Sequence, residues 1–292
     1  MIDHLRPVLC TLAFAAFAAT APLAHAQTGS VRPEVGRPLQ AAQALVKARK
    51  GREALAEVAK AEAVPNRTAN ENFIIQQMKG SAALAAGDND AVIRAYEPML
   101  ESGRVSGRES TQMLQAVAVA HYQKKEYAKA AQWTQRYFKE GGSEPAMRTV
   151  LLQSYFLGND CGSVNRLLGD KADADSNKRA SEEELQILAN CYLRQKDTAG
   201  YVNAIEKLVV HYPKQQYWTD LLSRVQKKPG FSDRLGVNVY RLRLATGNIA
   251  GANDYMEMAQ LAMQAGVPSE AKAMIDKGYS VGALGKGDQA ER

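Results

Sequence analysis

The sequence predicts an all-α protein built from stacked antiparallel helix pairs. Apolar residues recur at helical spacing over most of the chain, and no convincing run of alternating β-branched residues occurs. Glycines fall between the helical stretches, as in Ala86-Gly87-Asp88-Asn89 and Leu157-Gly158-Asn159-Asp160, where they can end one helix and lead into the next. We therefore expect helices of roughly 12 to 16 residues joined by short turns.

The first element is an export signal over residues 1–26. Arg6 precedes an apolar stretch from Val8 to Leu23, and Ala24-His25-Ala26 places small residues where a signal peptidase requires them. This pattern predicts cleavage after Ala26 and a periplasmic protein; an uncleaved N-terminal anchor is the alternative. No other long apolar run follows, so we expect no membrane span after cleavage. Residues 27–34 are interpreted as a linker.

A repeating pattern follows, with starts near residues 35, 72, 111, 144, 182, 215 and 252. In the clearest copy, Glu182 is position 1 of the repeat. Large residues stand at positions 4, 7, 11 and 24, namely Leu185, Leu188, Tyr192 and Ile205. The small residue Ala189 stands at position 8, and Pro213 at position 32. Because one helix pair cannot bury its apolar face alone, small residues let a neighbouring helix approach while large ones fill the gaps.

The other copies carry parts of the same pattern. In chain order their matching residues are Ala42, Ala54, Val58 and Ala61; Gly87 and Ala91; Leu114, Val117, Ala118 and Ala130; Met147, Val150, Leu151 and Gly158; Trp218, Leu221 and Leu222; and Tyr255, Met258, Ala259, Gly266, Ala271, Ile275 and Gly278. In the copy near 215, the second helix is predicted over residues 232–245, after the break at Pro229-Gly230.

This pattern resembles the tetratricopeptide repeat (TPR) family over residues 35–285, as in an exported bacterial member. Tyr201 and Leu208 depart from it, since the family usually has small residues there. The resemblance implies a right-handed superhelical solenoid whose first helices line a concave face that binds a protein or peptide. The repeat positions that line the concave face in this family predict the partner-binding residues here. They are Gln115, Tyr122, Gln123, Arg148, Leu152, Tyr155, Phe156, Gln186, Asn190 and Arg194. An ordinary solvated groove wall is the alternative for the same residues.

Two cysteines remain after the predicted cleavage, Cys161 and Cys191. The first is placed in the turn between the helices of one repeat, and the second about two-thirds along the first helix of the next. In a stack of helix pairs, these places lie on the same side of adjacent units. A disulfide between neighbouring repeats is therefore geometrically feasible, and two buried free thiols are the alternative.

No catalytic pattern in the sequence favours an enzyme, and we expect no cofactor or metal. The G-x-S-x-G motif at Gly278–Gly282 follows a helical repeat, and no histidine comes after it. His121 and His211 are interpreted as structural, because each falls within a repeat helix. The net charge of +6 favours acidic partners only weakly, and nucleic acid is not expected for an exported protein.

The sequence thus predicts a non-catalytic protein–protein interaction scaffold or adaptor in the cell envelope. The alternative is a component of a polysaccharide export or cell-wall system that binds glycan. Residues 286–292 are interpreted as a flexible tail. The alternative is that the natural protein continues beyond Arg292 with further repeats.

Overall fold

The computed structural model describes residues 31–172, 180–228, 230–249 and 251–286. The predicted signal over residues 1–26 lies outside these residues, as do half of the predicted linker and all of the predicted tail except residue 286. The chain divides into two compact units, Met1–Gly158 and Asn159–Arg292, and each is taken by itself below.

The first unit consists of α-helices joined by short turns. They are α1 (Pro33–Lys47), α2 (Gly51–Glu62), α3 (Ala69–Ala86), α4 (Asn89–Glu101), α5 (Gly107–Gln123), α6 (Tyr127–Lys139) and α7 (Pro145–Leu157). Each helix packs on its neighbours in sequence, and α1 also contacts α3 as α5 contacts α7. The helix pairs begin close to the predicted repeat starts, with α1 starting two residues before the predicted array.

The second unit continues the same construction. Its helices are α8 (Cys161–Ala172), α9 (Glu182–Arg194), α10 (Thr198–His211), α11 (Gln215–Val225), α12 (Gly236–Ala245), α13 (Ala252–Gln264) and α14 (Pro268–Ser280). A short 3₁₀ turn, Asp233–Leu235, precedes α12, so the helix predicted from residue 232 begins as an α-helix only at Gly236. The predicted all-α class of stacked helix pairs is confirmed.

Side-chain caps fix where several helices begin. The Thr68 hydroxyl accepts a hydrogen bond from the Glu71 amide at 3.1 Å, and the Glu71 carboxylate accepts one from the Thr68 amide at 2.8 Å. Ser181 and Glu184 form the same reciprocal pair before α9. These bonds satisfy backbone donors that have no partner inside the helix, and the second pair explains why the acidic run at 182–184 opens α9.

The turns inside the helix pairs use a residue with positive φ, but this residue is glycine in only some pairs. Gly87 and Gly266 take this conformation as the sequence suggests. In three other pairs, the same place is held by charged residues with φ near +60°: Arg49, Lys125 and Lys196. Gly158 is the C-cap that ends α7, as predicted, while the positive φ of this turn belongs to Asn159.

Each unit has its own apolar interior. In the first unit, buried residues form one cluster around α1 to α3 and another from α3 to α7; they include Val35, Val58, Ile75, Leu100, Leu114 and Met147. In the second unit, a cluster joins α12, α13 and α14 around Tyr240, Tyr255, Met258 and Met274. Among the described residues, no helix is both long and apolar enough to cross a bilayer.

An ion pair between a partly exposed arginine and a buried carboxylate joins the start of α1 to α3. The Arg32 guanidinium donates to the Glu71 carboxylate through Nε at 2.9 Å and Nη2 at 3.0 Å, and the Glu71 side chain is fully buried. Together with the Thr68 cap, this guanidinium lowers the pKa of Glu71 to about 2. The carboxylate is therefore charged in the folded protein at neutral pH.

Candidate functional site

The predicted face residues of α5 are at least partly accessible in the first unit. Gln123 is exposed, and Gln115 and Tyr122 are half-buried. The Tyr122 hydroxyl donates to the Gln153 side-chain oxygen at 2.6 Å, which links α5 to α7. This hydrogen bond holds the phenol ring against α7, and the Gln123 side chain is exposed at the next position of the helix.

On α7, the structure differs from the sequence prediction. Arg148 is half-buried, but Leu152, Tyr155 and Phe156 are buried. Every residue from Val150 to Phe156 is buried, so this part of α7 has no open side on which a groove wall could form. The Tyr155 hydroxyl accepts a hydrogen bond from Gln135 of α6. These three predicted binding residues therefore belong to the packed interior.

The predicted face of α9 forms a row in the second unit. Gln186, Asn190 and Arg194 follow one another at i, i+4 and i+8, which places them on one side of the helix. Arg194 is exposed and the other two are half-buried. The Gln186 amide donates to the Tyr217 hydroxyl of α11, and the Arg194 guanidinium lies 3.4 Å from the Asn159 side-chain oxygen. The row thus presents the Arg194 guanidinium to solvent and leaves the Asn190 amide partly accessible, while the Gln186 amide is bonded to α11.

The crevice between α13 and α14 is a further candidate that the sequence prediction did not name. It is an open depression of about 450 Å³, lined by Met256, Ala259 and Met263 of α13 and by Ala271 and Ile275 of α14. Met256 and Met263 are 54% and 59% exposed. The face positions applied to α5 and α9 would have identified both methionines had they been applied to the last repeat.

The two cysteines are joined in the structure. The Sγ atoms of Cys161 and Cys191 are bonded, with 5.2 Å between the two Cα atoms. Cys161 is the first residue of α8 rather than a turn residue, and Cys191 lies in the C-terminal half of α9. The bridge joins the second helix of one predicted repeat to the first helix of the next.

His121 and Ser280, the residues that could suggest catalysis, make contacts that stabilise helices. His121 is buried, with Nε2 2.7 Å from the Glu97 carboxylate and Nδ1 2.6 Å from that of Glu126, so it ties α4, α5 and the start of α6 together. Ser280 is the last residue of α14, and its hydroxyl donates to the Lys277 carbonyl at 2.8 Å. This is a helix end and not the strand-to-helix elbow of a hydrolase. Within the described parts of the chain, no group of acidic, histidine or cysteine side chains could hold a metal ion.

The chain was compared with known proteins. No family model matches it, and no curated protein matches it. Among solved structures, it is similar to the TPR2AB-domain:pHSP90 complex of yeast Sti1, with 14% identity, coverage of 83% of this chain and 88% of that chain, and a TM-score of 0.42. It is also similar to the C-terminal part of a TPR repeat-containing protein from Cytophaga hutchinsonii, with 12% identity, coverage of 86% and 97%, and a TM-score of 0.40.

Proposed function

We propose that this protein is a non-catalytic scaffold that binds a protein partner on the faces of its first helices. The observation that carries the proposal is the row of Gln186, Asn190 and Arg194 along one side of α9, in which Arg194 is exposed and Gln186 and Asn190 are half-buried. The TPR-like repeat positions support it, because in that family the same positions contact the bound partner.

The chemistry of this row suits a peptide. Amide side chains can donate to and accept from a peptide backbone, and a guanidinium can bind a carboxylate or a backbone carbonyl. The helices that carry these groups are fixed by packing, so binding costs little ordering of the scaffold itself. The same reasoning applies to Gln115, Tyr122 and Gln123 on α5, where Tyr122 adds a rigid aromatic surface.

We place this scaffold in the cell envelope. The signal-like pattern of residues 1–26 supports export, and a Cys161–Cys191 disulfide suits an oxidising compartment. Cell fractionation with mass measurement of the isolated protein tests this. A periplasmic species beginning at Gln27 is expected, and a cytoplasmic species beginning at Met1 would contradict the location.

Site-specific photo-crosslinking tests the binding face. A photoreactive amino acid replaces Asn190 or Gln123 in cells that produce the full chain, with Asn203 and Gln132 as matched controls on exposed parts of α10 and α6. We expect a discrete crosslinked polypeptide from the face positions and none from the controls.

Two results would contradict the proposal. Equal labelling at the face and control positions would show that the face has no binding role. Adducts that contain glycan rather than polypeptide would favour the polysaccharide-related role instead.

A further inference from the structure

Three turns of the first unit, those of the pairs α1–α2, α3–α4 and α5–α6, lie side by side along one of its edges. At the first turn, Gly51 packs so closely on Ala85 and Ala86, at the end of α3, that no Cβ would fit there. At the last turn, Lys124 forms an ion pair with Asp90 near the start of α4, with 2.5 Å between Nζ and Oδ1. We call residues 47–52, 86–90 and 124–126 the turn edge.

The turn edge carries exposed cations, most of which have no ion-pair partner. The exposed basic residues of the turn edge are Lys47, Arg49, Lys50, Arg52, Lys124 and Lys125. Among the described residues, Lys50 pairs with Glu53 at 3.3 Å, while four side chains make no ion pair or hydrogen bond. These four are Lys47, Arg49, Arg52 and Lys125.

The acidic side chains of the turn edge are already engaged. Asp90 and Glu126 both pair with Lys124, at 2.5 and 3.0 Å. Asp88 caps α4, because its carboxylate accepts a hydrogen bond from the Ala91 amide at 2.9 Å. Positive charge is therefore in excess along the turn edge.

Two of these cations occupy a backbone conformation that favours glycine. Arg49 and Lys125 have φ of +60° and +62°, and Gly87 has φ of +71° at the same place in the turn between them. A Cβ makes this conformation costly, whereas glycine adopts it freely. The chain thus keeps a long cationic side chain at two turns where glycine would be more stable, and strain of this kind is typical of functional positions.

We propose that the turn edge binds the anionic headgroups of a phospholipid bilayer. Lysine and arginine side chains near such a surface are attracted to it, and each strengthens binding about fivefold at moderate salt. The proposed location in the cell envelope supplies the setting, because it brings a membrane within reach. The contact would hold the first unit against the membrane.

A bilayer fits the turn edge better than an acidic peptide does. Residues 47–52, 86–90 and 124–126 include no aromatic residue and no large aliphatic one, so they form no apolar groove to hold a peptide in one register. With neighbouring helices about 10 Å apart, the turns α1–α2 and α5–α6 lie on the order of 20 Å from each other. A bilayer presents anions at any spacing, so both turns can bind it at once.

The test measures sedimentation of the protein with lipid vesicles. It uses the protein as isolated from producing cells, and its N-terminus is determined by mass measurement. One set of vesicles contains equal parts of phosphatidylglycerol and phosphatidylcholine, and the other contains phosphatidylcholine alone, which corrects for binding through any retained apolar segment of residues 1–26. We expect binding to the anionic vesicles that weakens as the salt concentration rises.

A matched pair of variants isolates the turn edge. Arg49→Gly/Lys125→Gly removes two of its cations, and Arg104→Ala/Arg108→Ala removes two exposed cations at the other end of the helices, between α4 and α5. We expect the glycine variant to bind anionic vesicles at least about tenfold more weakly than the alanine variant and the unmodified chain. Because glycine relieves strain at both turns, urea unfolding should show that this variant is no less stable, so its weaker binding cannot come from unfolding.

Three outcomes would overturn the inference. The first is equal sedimentation with the two kinds of vesicle. The second is an equal loss of binding in the two variants, which would indicate a general effect of net charge. The third is binding of polyglutamate that is as strong as vesicle binding and is lost in the glycine variant, which would assign the turn edge to an acidic polypeptide. None of them bears on crosslinking at Asn190, so this inference and the proposed function fail independently.

Discussion

Removing the disulfide between Cys161 and Cys191 should destabilise the second unit without changing its fold. The bridge closes a loop with a sequence separation of 30 residues between α8 and α9. Without it, the unfolded chain gains conformational freedom while the folded helices keep their packing. We therefore expect the free energy of unfolding to fall and the helix content to stay the same.

The size of this effect follows from the loop length. Closing a loop of about 30 residues lowers the entropy of the unfolded chain by an amount worth about 3.6 kcal/mol at 25 °C. For a cooperative unit of the size of Asn159–Arg292, this corresponds to a fall of about 10 °C in Tm. Replacing both cysteines by alanine also removes buried sulfur atoms, so reduction of the unmodified chain isolates the contribution of the bridge itself.

The assay is thermal unfolding followed by circular dichroism, with and without a phosphine reductant. The unmodified chain should lose about 10 °C on reduction. Cys161→Ala/Cys191→Ala should start at a lower Tm and show no response to the reductant. Two free thiols in the unreduced protein by mass spectrometry, or a Tm that reduction leaves unchanged, would refute the reasoning.

Two further predictions concern the Arg32–Glu71 ion pair and the turn residues. Because folding lowers the pKa of Glu71 to about 2, its charged carboxylate stabilises the folded state fully above the ordinary pKa near 4.5, and this stabilisation is lost as the pH falls towards 2. Glu71→Gln should therefore lower the urea midpoint of unfolding at pH 7 but hardly at pH 2. Urea midpoints that change with pH in parallel for the variant and the unmodified chain would contradict this. Lys125→Gly and Lys196→Gly should each raise the free energy of unfolding, measured in urea, by up to about 1 kcal/mol, because glycine adopts positive φ without a Cβ clash. A lower free energy of unfolding in both variants would count against backbone strain at these turns.

The repeat pattern predicted the helix pairs well because it records which faces must be buried. The turns were harder to predict. Lys125 and Lys196 take positive φ because the packing of the flanking helices dictates the turn, and neither residue signals that conformation by itself. Arg32 was interpreted as part of a linker, since its partner Glu71 lies 39 residues away and no local pattern joins the two.

The predicted binding face stays a prediction, but the structure shows which of its residues are accessible. The position rule treats each first helix as if one side were open, which holds for α9 but not for α7, where Leu152, Tyr155 and Phe156 are buried by tertiary packing. For Met256 and Met263, the signal was present in the sequence.

The contacts between helices in each unit are local, and this bears on how the protein folds. Helices pack on sequence neighbours or on the next helix but one, and the disulfide also joins adjacent helices. Proteins with such low contact order fold in microseconds to milliseconds, because few distant segments have to meet before native contacts form. A chain that emerges gradually from a ribosome or a translocation channel could therefore assemble one helix pair at a time, with each finished pair serving as the template for the next.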